Sequence, residues 1–442
     1  MATIDHKSFS EGKAPVGPND QVDRRWWNLR GDAAADSISF TIKTLNEAQQ
    51  LRRMQHTISA RLYGNMAIMG QGGFKFAAGN QIMKERISYN VVQSCVDTAT
   101  AKIAKNKPKP LFLTSGGDYK KQRQAKQLSW FVEGIFYEQE AHKEGPLRFR
   151  DGAVFGDGVT KVYVDKGKRV AFERCMPLEL WVDEQEAFYG NPRQLHQVRD
   201  VDKPVLIDAF PKYEKEIRDA SAATWDEPSV HPRVADMVRV RESWHLPSGP
   251  GVKDGRHVIS IDGHCLREED WKHPWFPFAR FRWSPRLYGY WSQGGAEQIQ
   301  NIQLEINKLM WTIQRSMQIA GTFRVFLEQG SKVPKEHLNN DLGAIITYTG
   351  TPPIISTPAI VPPEIYQHWQ SLVTKAYEQF GISMLSAASE KPAGLNAAVA
   401  LREYNDIESD RFMIIGQEYE NYFMSLGKLA IAMATQVAED EG

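Results

Sequence analysis

In residues 293–320 the apolar side chains Ile302, Ile306, Leu309, Ile313, Met317 and Ala320 step by four and three. That spacing predicts one amphipathic helix, about 40 Å long at roughly 1.5 Å per residue, with Gly321 placed to stop it. The residues beyond Gly321 narrow the possible folds further. Residues 323–327 and 344–348 read as strands of a compact insert, with a short helix between them at 334–339. Pro362 and Pro363 then open a second helix with the stripe Ile365, Trp369, Leu372, Val373, Ala376 and Phe380. A small-residue stretch, 381–394, leads into a very long helix over 396–437, with Ile415, Tyr419, Tyr422, Leu426, Leu429 and Met433 on one face. A lone chain gains little by holding a separate β insert at the end of two exposed helices. A ring does so naturally, because two helices per subunit can line a channel while the insert closes one rim against its neighbours.

The earlier residues have a different pattern. A helix is predicted over 41–63, and another over 87–105. In the second, Ile87, Val91, Cys95 and Ala99 recur every four residues, and Val92, Val96 and Ile103 widen the stripe. It ends at Lys107-Pro108-Lys109-Pro110, since proline breaks a helix and restricts the residue before it. Residues 118–144 read as a third helix, basic at its start, with Trp130, Phe131, Ile135 and Phe136 as its apolar side. The period then changes to two. Strands are predicted at 161–164, 169–172, 178–182, 238–244 and 257–261, the last two separated by the turn-rich 247–251. The fold class expected is α+β.

Composition limits the function. The 442 residues suffice for roughly two to four packed units. The 54 basic residues balance 54 acidic ones, which argues against a protein that grips nucleic acid through a strongly basic face. A near-neutral surface suits DNA that slides past. Cys95, Cys175 and Cys265 are odd in number and far apart, so a reducing cytoplasm is the expected setting. Residues 1–20 lack the apolar core of a signal peptide, and no run of about 18 apolar residues predicts a membrane span. Residues 1–40 are expected to form a mobile arm.

Several segments resemble the portal proteins of tailed bacteriophages. Val154-Phe155-Gly156-Asp157-Gly158-Val159 resembles the glycine-bearing step into that family's wing sheet. Pro274-Trp275-Phe276-Pro277-Phe278-Ala279-Arg280-Phe281 is similar to its strand entering the stem. Tyr288-Gly289-Tyr290-Trp291-Ser292, followed by Glu297-Gln298-Ile299-Gln300-Asn301, resembles its glycine-containing turn and helix. Phe380-Gly381-Ile382-Ser383 onward to Glu403 resembles its second stem helix, tunnel loop and long helix. The resemblance spans about residues 40 to 437; the short C-terminus, which leaves little room for a crown, departs from it. It implies a wing at 41–285, stem helices at 286–321 and 359–381, and a clip at 322–358. A tunnel loop would occupy 382–395, and 396–442 would return to the wing and a short crown.

By the same resemblance the chain would assemble as a homo-oligomeric ring, a dodecamer on the family pattern. It would pass double-stranded DNA without reading its sequence, sit in the virion at one capsid vertex, and reside in the host cytoplasm during assembly. Its partners would be the terminase large subunit, a head–tail adaptor, and the major capsid and scaffold proteins. The apolar stripes of the two stem helices are expected to need neighbouring subunits to cover them. Ser386, Ala387, Ala388, Ser389, Glu390, Lys391, Pro392 and Ala393 would face DNA. Gln300, Asn301, Gln303, Asn307, Gln314 and Gln318 would line the channel. Glu328, Lys332, Lys335 and Glu336 would meet the motor and the adaptor.

Other signals point to no chemistry. His257, His264, Cys265 and His273 cluster in sequence, but no second cysteine is near and the spacing does not set a shared face, so no metal or other cofactor is expected. Neither Gly70-Gln71-Gly72-Gly73 nor Gly156-Asp157-Gly158 makes a phosphate-binding motif. Asp183, Glu184 and Glu186 offer carboxylates that nothing orients as an acid–base pair. The basic stretch Lys102, Lys105, Lys107, Lys109, Lys120, Lys121, Arg123 and Lys126 reads as a solvated face or a contact to DNA or capsid. The reading is therefore not an enzyme. The alternatives are a ring-forming virion scaffold without a channel, and a metal-dependent hydrolase built on the histidines.

Overall fold

Two antiparallel sheets organise an α+β body. The computed structural model describes residues 25–65, 88–114, 116–220, 236–249, 251–320, 324–326, 354–356, 362–382 and 398–441. Helices α1 (Gly31–Ala48) and α2 (Gln50–Tyr63) come first, followed by α3 (Val91–Ile103), α4 (Tyr119–Glu138) and α5 (Ala141–Phe155). Strands β1 (Asp157–Val164), β2 (Val170–Cys175), β3 (Leu180–Trp181) and β4 (Gln194–Asp202) come next, then the short helices α6 (Lys203–Ala209) and α7 (Glu214–Asp219). Strands β5 (Met237–His245), β6 (Arg256–Ile261), β7 (His264–Asp270), β8 (Phe278–Arg282), β9 (Ser284–Pro285) and β10 (Ser292–Gln293) complete the body. One sheet has the order β2-β1-β8 and the other β3-β4-β5-β6-β7, every neighbour antiparallel.

The last third holds α8 (Gly295–Ala320), the paired strands β11 (Arg324–Phe326) and β12 (Ile354–Ser356), α9 (Pro363–Phe380) and α10 (Ala398–Glu441). Strand pairing of β11 with β12 ties the end of α8 to the start of α9. At the other end the Gln379 amide donates to the Gln298 carbonyl at 2.7 Å, so α8 and α9 run antiparallel. Gly381, in the left-handed region at φ 91°, closes α9 as a cap that glycine adopts without strain. Helix α10 has 44 residues, about 65 Å at 1.5 Å per residue, and packs Tyr419, Tyr422 and Leu426 against the β1/β8 sheet and α4. No helix among the described residues is long and apolar enough to cross a membrane.

Among the described residues, three apolar clusters hold these parts. The largest joins α3, α5, the β2-β1-β8 sheet, the base of α8 and α9, and α10. A second sets Trp26 and the buried face of α1 against Trp181, Val198 and Val258. A third seats α6 and α7 on Val238, Ile261 and Leu266.

Several expectations are corrected here. Residues 25–40 are not an arm: Trp26, Ala34, Ala35 and Ile38 are buried, and the Asp32 carboxylate accepts from the Cys265 backbone at 2.9 Å. The helix expected over 41–63 is two, broken at Gln49, whose side chain turns inward to the Val182 carbonyl. The helix expected over 118–144 also divides, because Glu140 adopts a left-handed conformation at φ 49° and α5 starts afresh, with Pro146 inside it. Val132 and Phe136 carry the buried side of α4, whereas Trp130 and Phe131 are exposed. Strands β4 and β7 were not anticipated. The stem stripes are covered in part within the chain: Ile306, Ile313, Val373, Ala376 and Phe380 are buried, Ile302, Leu309, Ile365, Trp369 and Leu372 are half-buried, and Met317 is exposed.

Candidate functional site

The helical pair meets the body at a joint centred on Asp157. Helix α5 ends at Gly156, at φ 100°, and a Cβ there would overlap the Ser292 carbonyl. This is a position where only glycine fits, on conformation and on space. The next residue, Asp157, is buried and accepts hydrogen bonds on both oxygens. Arg280 Nη2 lies 2.7 Å from Oδ1, Ser292 Oγ 3.0 Å from Oδ1, and Ser292 N 3.0 Å from Oδ2. Arg280 also donates to the Tyr290 carbonyl at 2.7 Å, with its guanidinium 3.5 Å above the Tyr290 ring. A buried carboxylate paired in this way holds its geometry firmly, because losing either partner leaves a charge without solvent. The joint thus clamps β1, β8 and β10 three residues before α8 begins. Three of the segments singled out in the sequence, around Gly156, Arg280 and Ser292, converge on it. The pairing of Asp157 with Arg280 across the β1/β8 register was not legible from spacing.

The polar row of α8 divides into inward and outward residues. Gln303 is buried, and its Oε1 accepts from Val91 N at 2.8 Å and Val92 N at 3.2 Å. Those are the first two amides of α3, which no bond within that helix can satisfy. Its Nε2 donates to the Tyr89 carbonyl at 2.6 Å and to Asn307 Oδ1 at 3.1 Å. Gln303 is therefore an internal cap for α3, and its place on an open polar wall is corrected. Asn307 is half-buried and accepts from Tyr89 N at 3.2 Å. Gln300 pairs with Gln55 of α2. The face left open carries Asn301, Lys308, Trp311, Arg315 and Gln318, with Gln314 half-buried beside it. Lys308 reaches Glu305 at 3.3 Å and Arg315 stacks over the Trp311 ring at 5.3 Å. The open face is amphipathic and mildly cationic rather than purely amide, with Lys308 and Arg315 set against the half-buried Glu305.

The residues expected to face DNA, Ser386, Ala387, Ala388, Ser389, Glu390, Lys391, Pro392 and Ala393, lie outside the described residues. So do Glu328, Lys332, Lys335 and Glu336, the strand expected at 344–348 and the helix expected at 334–339.

The histidine–cysteine cluster does not converge. His257 joins Glu242 (3.0 Å) to Glu269 (2.6 Å) and stacks on Trp244 at 5.0 Å, His264 lies 3.4 Å from Asp32, and His273 stacks on Trp275 at 4.4 Å. Among the described residues no group of three His, Cys, Asp or Glu is placed to hold a metal ion. Lys161 of β1 also pairs with Glu242 of β5, so this network ties the two sheets across a cavity of about 340 Å³. Burial alone would raise the Glu242 carboxyl, but the Lys161 ammonium and the His257 bond pull it down to about 2. Burial likewise opposes a charged His257, and the bonds to Glu242 and Glu269 outweigh it and raise its pKa.

The contact between His196 Nδ1 and Ser243 Oγ, 2.7 Å, has the spacing of a nucleophile–base pair. Both residues are fully buried, and burial pushes His196 down to about 3. A closed, neutral pair of this kind joins strands and meets no substrate.

A scan against family models finds no match to this chain, and a search of curated proteins finds none either.

Proposed function

We propose that this chain is the subunit of a portal-type ring that conducts double-stranded DNA through a phage capsid vertex. The observation that carries the reading is the antiparallel pair α8/α9, which projects a two-stranded β unit from one end and is bolted to an α+β body at the other by Asp157 and Arg280. In this reading the body is the wing, α8 and α9 the stem, the segment holding β11 and β12 the clip, and α10 the long helix returning to the wing. The open face of α8 has only two cations, one of them paired with Glu305, which supports passage over capture, since salt-dependent affinity grows with the number of phosphates neutralised. Terminase and adaptor would dock at Glu328, Lys332, Lys335 and Glu336, and residues 386–393 would brush the DNA backbone without reading bases. That loop has a single lysine and no arginine, so it lacks the bidentate contact that guanine readout favours. Deleting 387–392 is expected to leave the ring intact and abolish DNA packaging in an in vitro packaging reaction. Packaging at the wild-type level would overturn the assignment of this loop.

A further inference from the structure

We propose that the cavity between α1 and β5 is a binding site for a small organic phosphate. The site does not depend on the ring reading. Arg239 and Arg241 are two apart on β5 and therefore share a face of the sheet. On α1, which packs across that face, Ser39, Ile42, Lys43 and Asn46 fall three and four apart along one side of the helix. These two rows, with Trp181 on the edge strand β3 and Arg53 of α2, enclose about 450 Å³. That volume lies in the range of sites for small molecules.

The charge of the cavity is one-sided. Lys43, Arg53, Arg239 and Arg241 line it, against Asp262 alone. Arg241 holds Asp262 at 2.7 Å, and Arg239 holds Asp200, outside the lining, at 3.2 Å. Asp36 and Glu47 of α1 are exposed and do not line the cavity. Four cations against Asp200 and Asp262 leave two positive charges. A phosphate monoester carries about −1.5 to −2 at neutral pH and balances them; a single carboxylate does not. The cavity of about 340 Å³ between the sheets differs, because there Lys161, Arg199 and Arg267 each face one carboxylate, Glu242, Glu173 and Glu269.

The hydrogen bonding of the site is incomplete in the same sense. Arg241 is only 9% exposed, and its Nε and Nη1 have no acceptor among the described residues. Trp181 Nε1 and Ser39 Oγ are likewise buried without a partner there. All of these groups can donate, and buried donors are rarely left without an acceptor. Phosphate oxygens supply several acceptors at once, in a geometry that a guanidinium fork matches. Phe40, 68% exposed, joins Leu178 and Val198 as an apolar wall for the body of the ligand. The cavity is too small to admit a DNA duplex, so its shape selects a free small molecule.

Isothermal titration of the full-length protein with phenyl phosphate, phenol and inorganic phosphate tests the site. Phenyl phosphate is expected to bind with a Kd below about 1 mM, inorganic phosphate about tenfold more weakly, and phenol not measurably. Arg241→Gln is expected to weaken phenyl phosphate by about tenfold or more, and Lys43→Gln and Phe40→Ala by about threefold each. Circular dichroism establishes that each variant is folded. Lys43 and Phe40 are exposed, so their variants decide the matter if Arg241→Gln does not fold. Phenyl phosphate that fails to bind in the low millimolar range would overturn the proposal and leave water as the occupant. Binding unchanged in both Lys43→Gln and Phe40→Ala would also overturn it, by placing the anion elsewhere. Duplex DNA that displaces phenyl phosphate would overturn the small-molecule class in favour of a DNA contact.

Discussion

Lys161 and His257 pair with carboxylates inside the protein, and each makes a prediction. Lys161 is nearly buried beside Glu242, so Lys161→Met leaves a carboxylate in the interior beside His257 alone. Breaking a buried pair in this way is expected to cost about 3 kcal/mol, read as a lower urea midpoint; an unchanged midpoint would contradict the network. His257 has a folded pKa above its ordinary 6.5. Its contribution to stability is therefore fully present below about pH 6.5 and is lost as pH rises through the folded value. Glu242, held near 2 against an ordinary 4.5, contributes above 4.5 and loses that contribution as pH falls toward 2. The stability gap between wild type and His257→Gln should thus shrink as pH is raised from about 6 to about 9, and a gap independent of pH would contradict the bridge. Gly156 is the third residue at this scale. Its φ of 100° and its closeness to the Ser292 carbonyl leave no space for a methyl, so Gly156→Ala should destabilise by about 2–4 kcal/mol in urea denaturation.

At the scale of elements, the amide row of α8 separates two kinds of role. Gln303→Leu removes the acceptor for the first two amides of α3 and should destabilise by about 1–3 kcal/mol, while Asn301→Leu, on the open face, should change the melting temperature little. Equal effects at the two positions would contradict the inward placement of Gln303. Elements with a long, regular stripe were legible in the sequence: α9 and α10 fall where Val373, Ala376, Phe380, Tyr419, Leu426 and Met433 put them, and burial tracks the same residues. What was not legible depends on partners distant in the chain. Gln303 and Val91 are 212 positions apart, so nothing local marks this amide as internal. The breaks at Gln49 and Glu140 occur inside good helical sequence, at points where Gln49 reaches the distant Val182 carbonyl and Gln139 accepts from the Phe172 amide. Strand β4 escaped notice since its later half, from Arg199 to Asp202, is charged and only half-buried. The face of α4 was misjudged for a different reason: Trp130 and Phe131 are apolar but lie clear of the core.

At the scale of the whole molecule, the stripes of α8 and α9 are covered in part by the chain's own core, with Met317 left exposed. In the proposed ring the helical pair would present its open face to whatever passes along the axis. The measurement closest to the central claim is electron microscopy of the purified full-length protein. The account predicts closed rings of a single size, with an open axial channel and α8 and α9 nearest the axis. Monomers at micromolar concentration, or a ring with α8 and α9 on its outer rim, would contradict it.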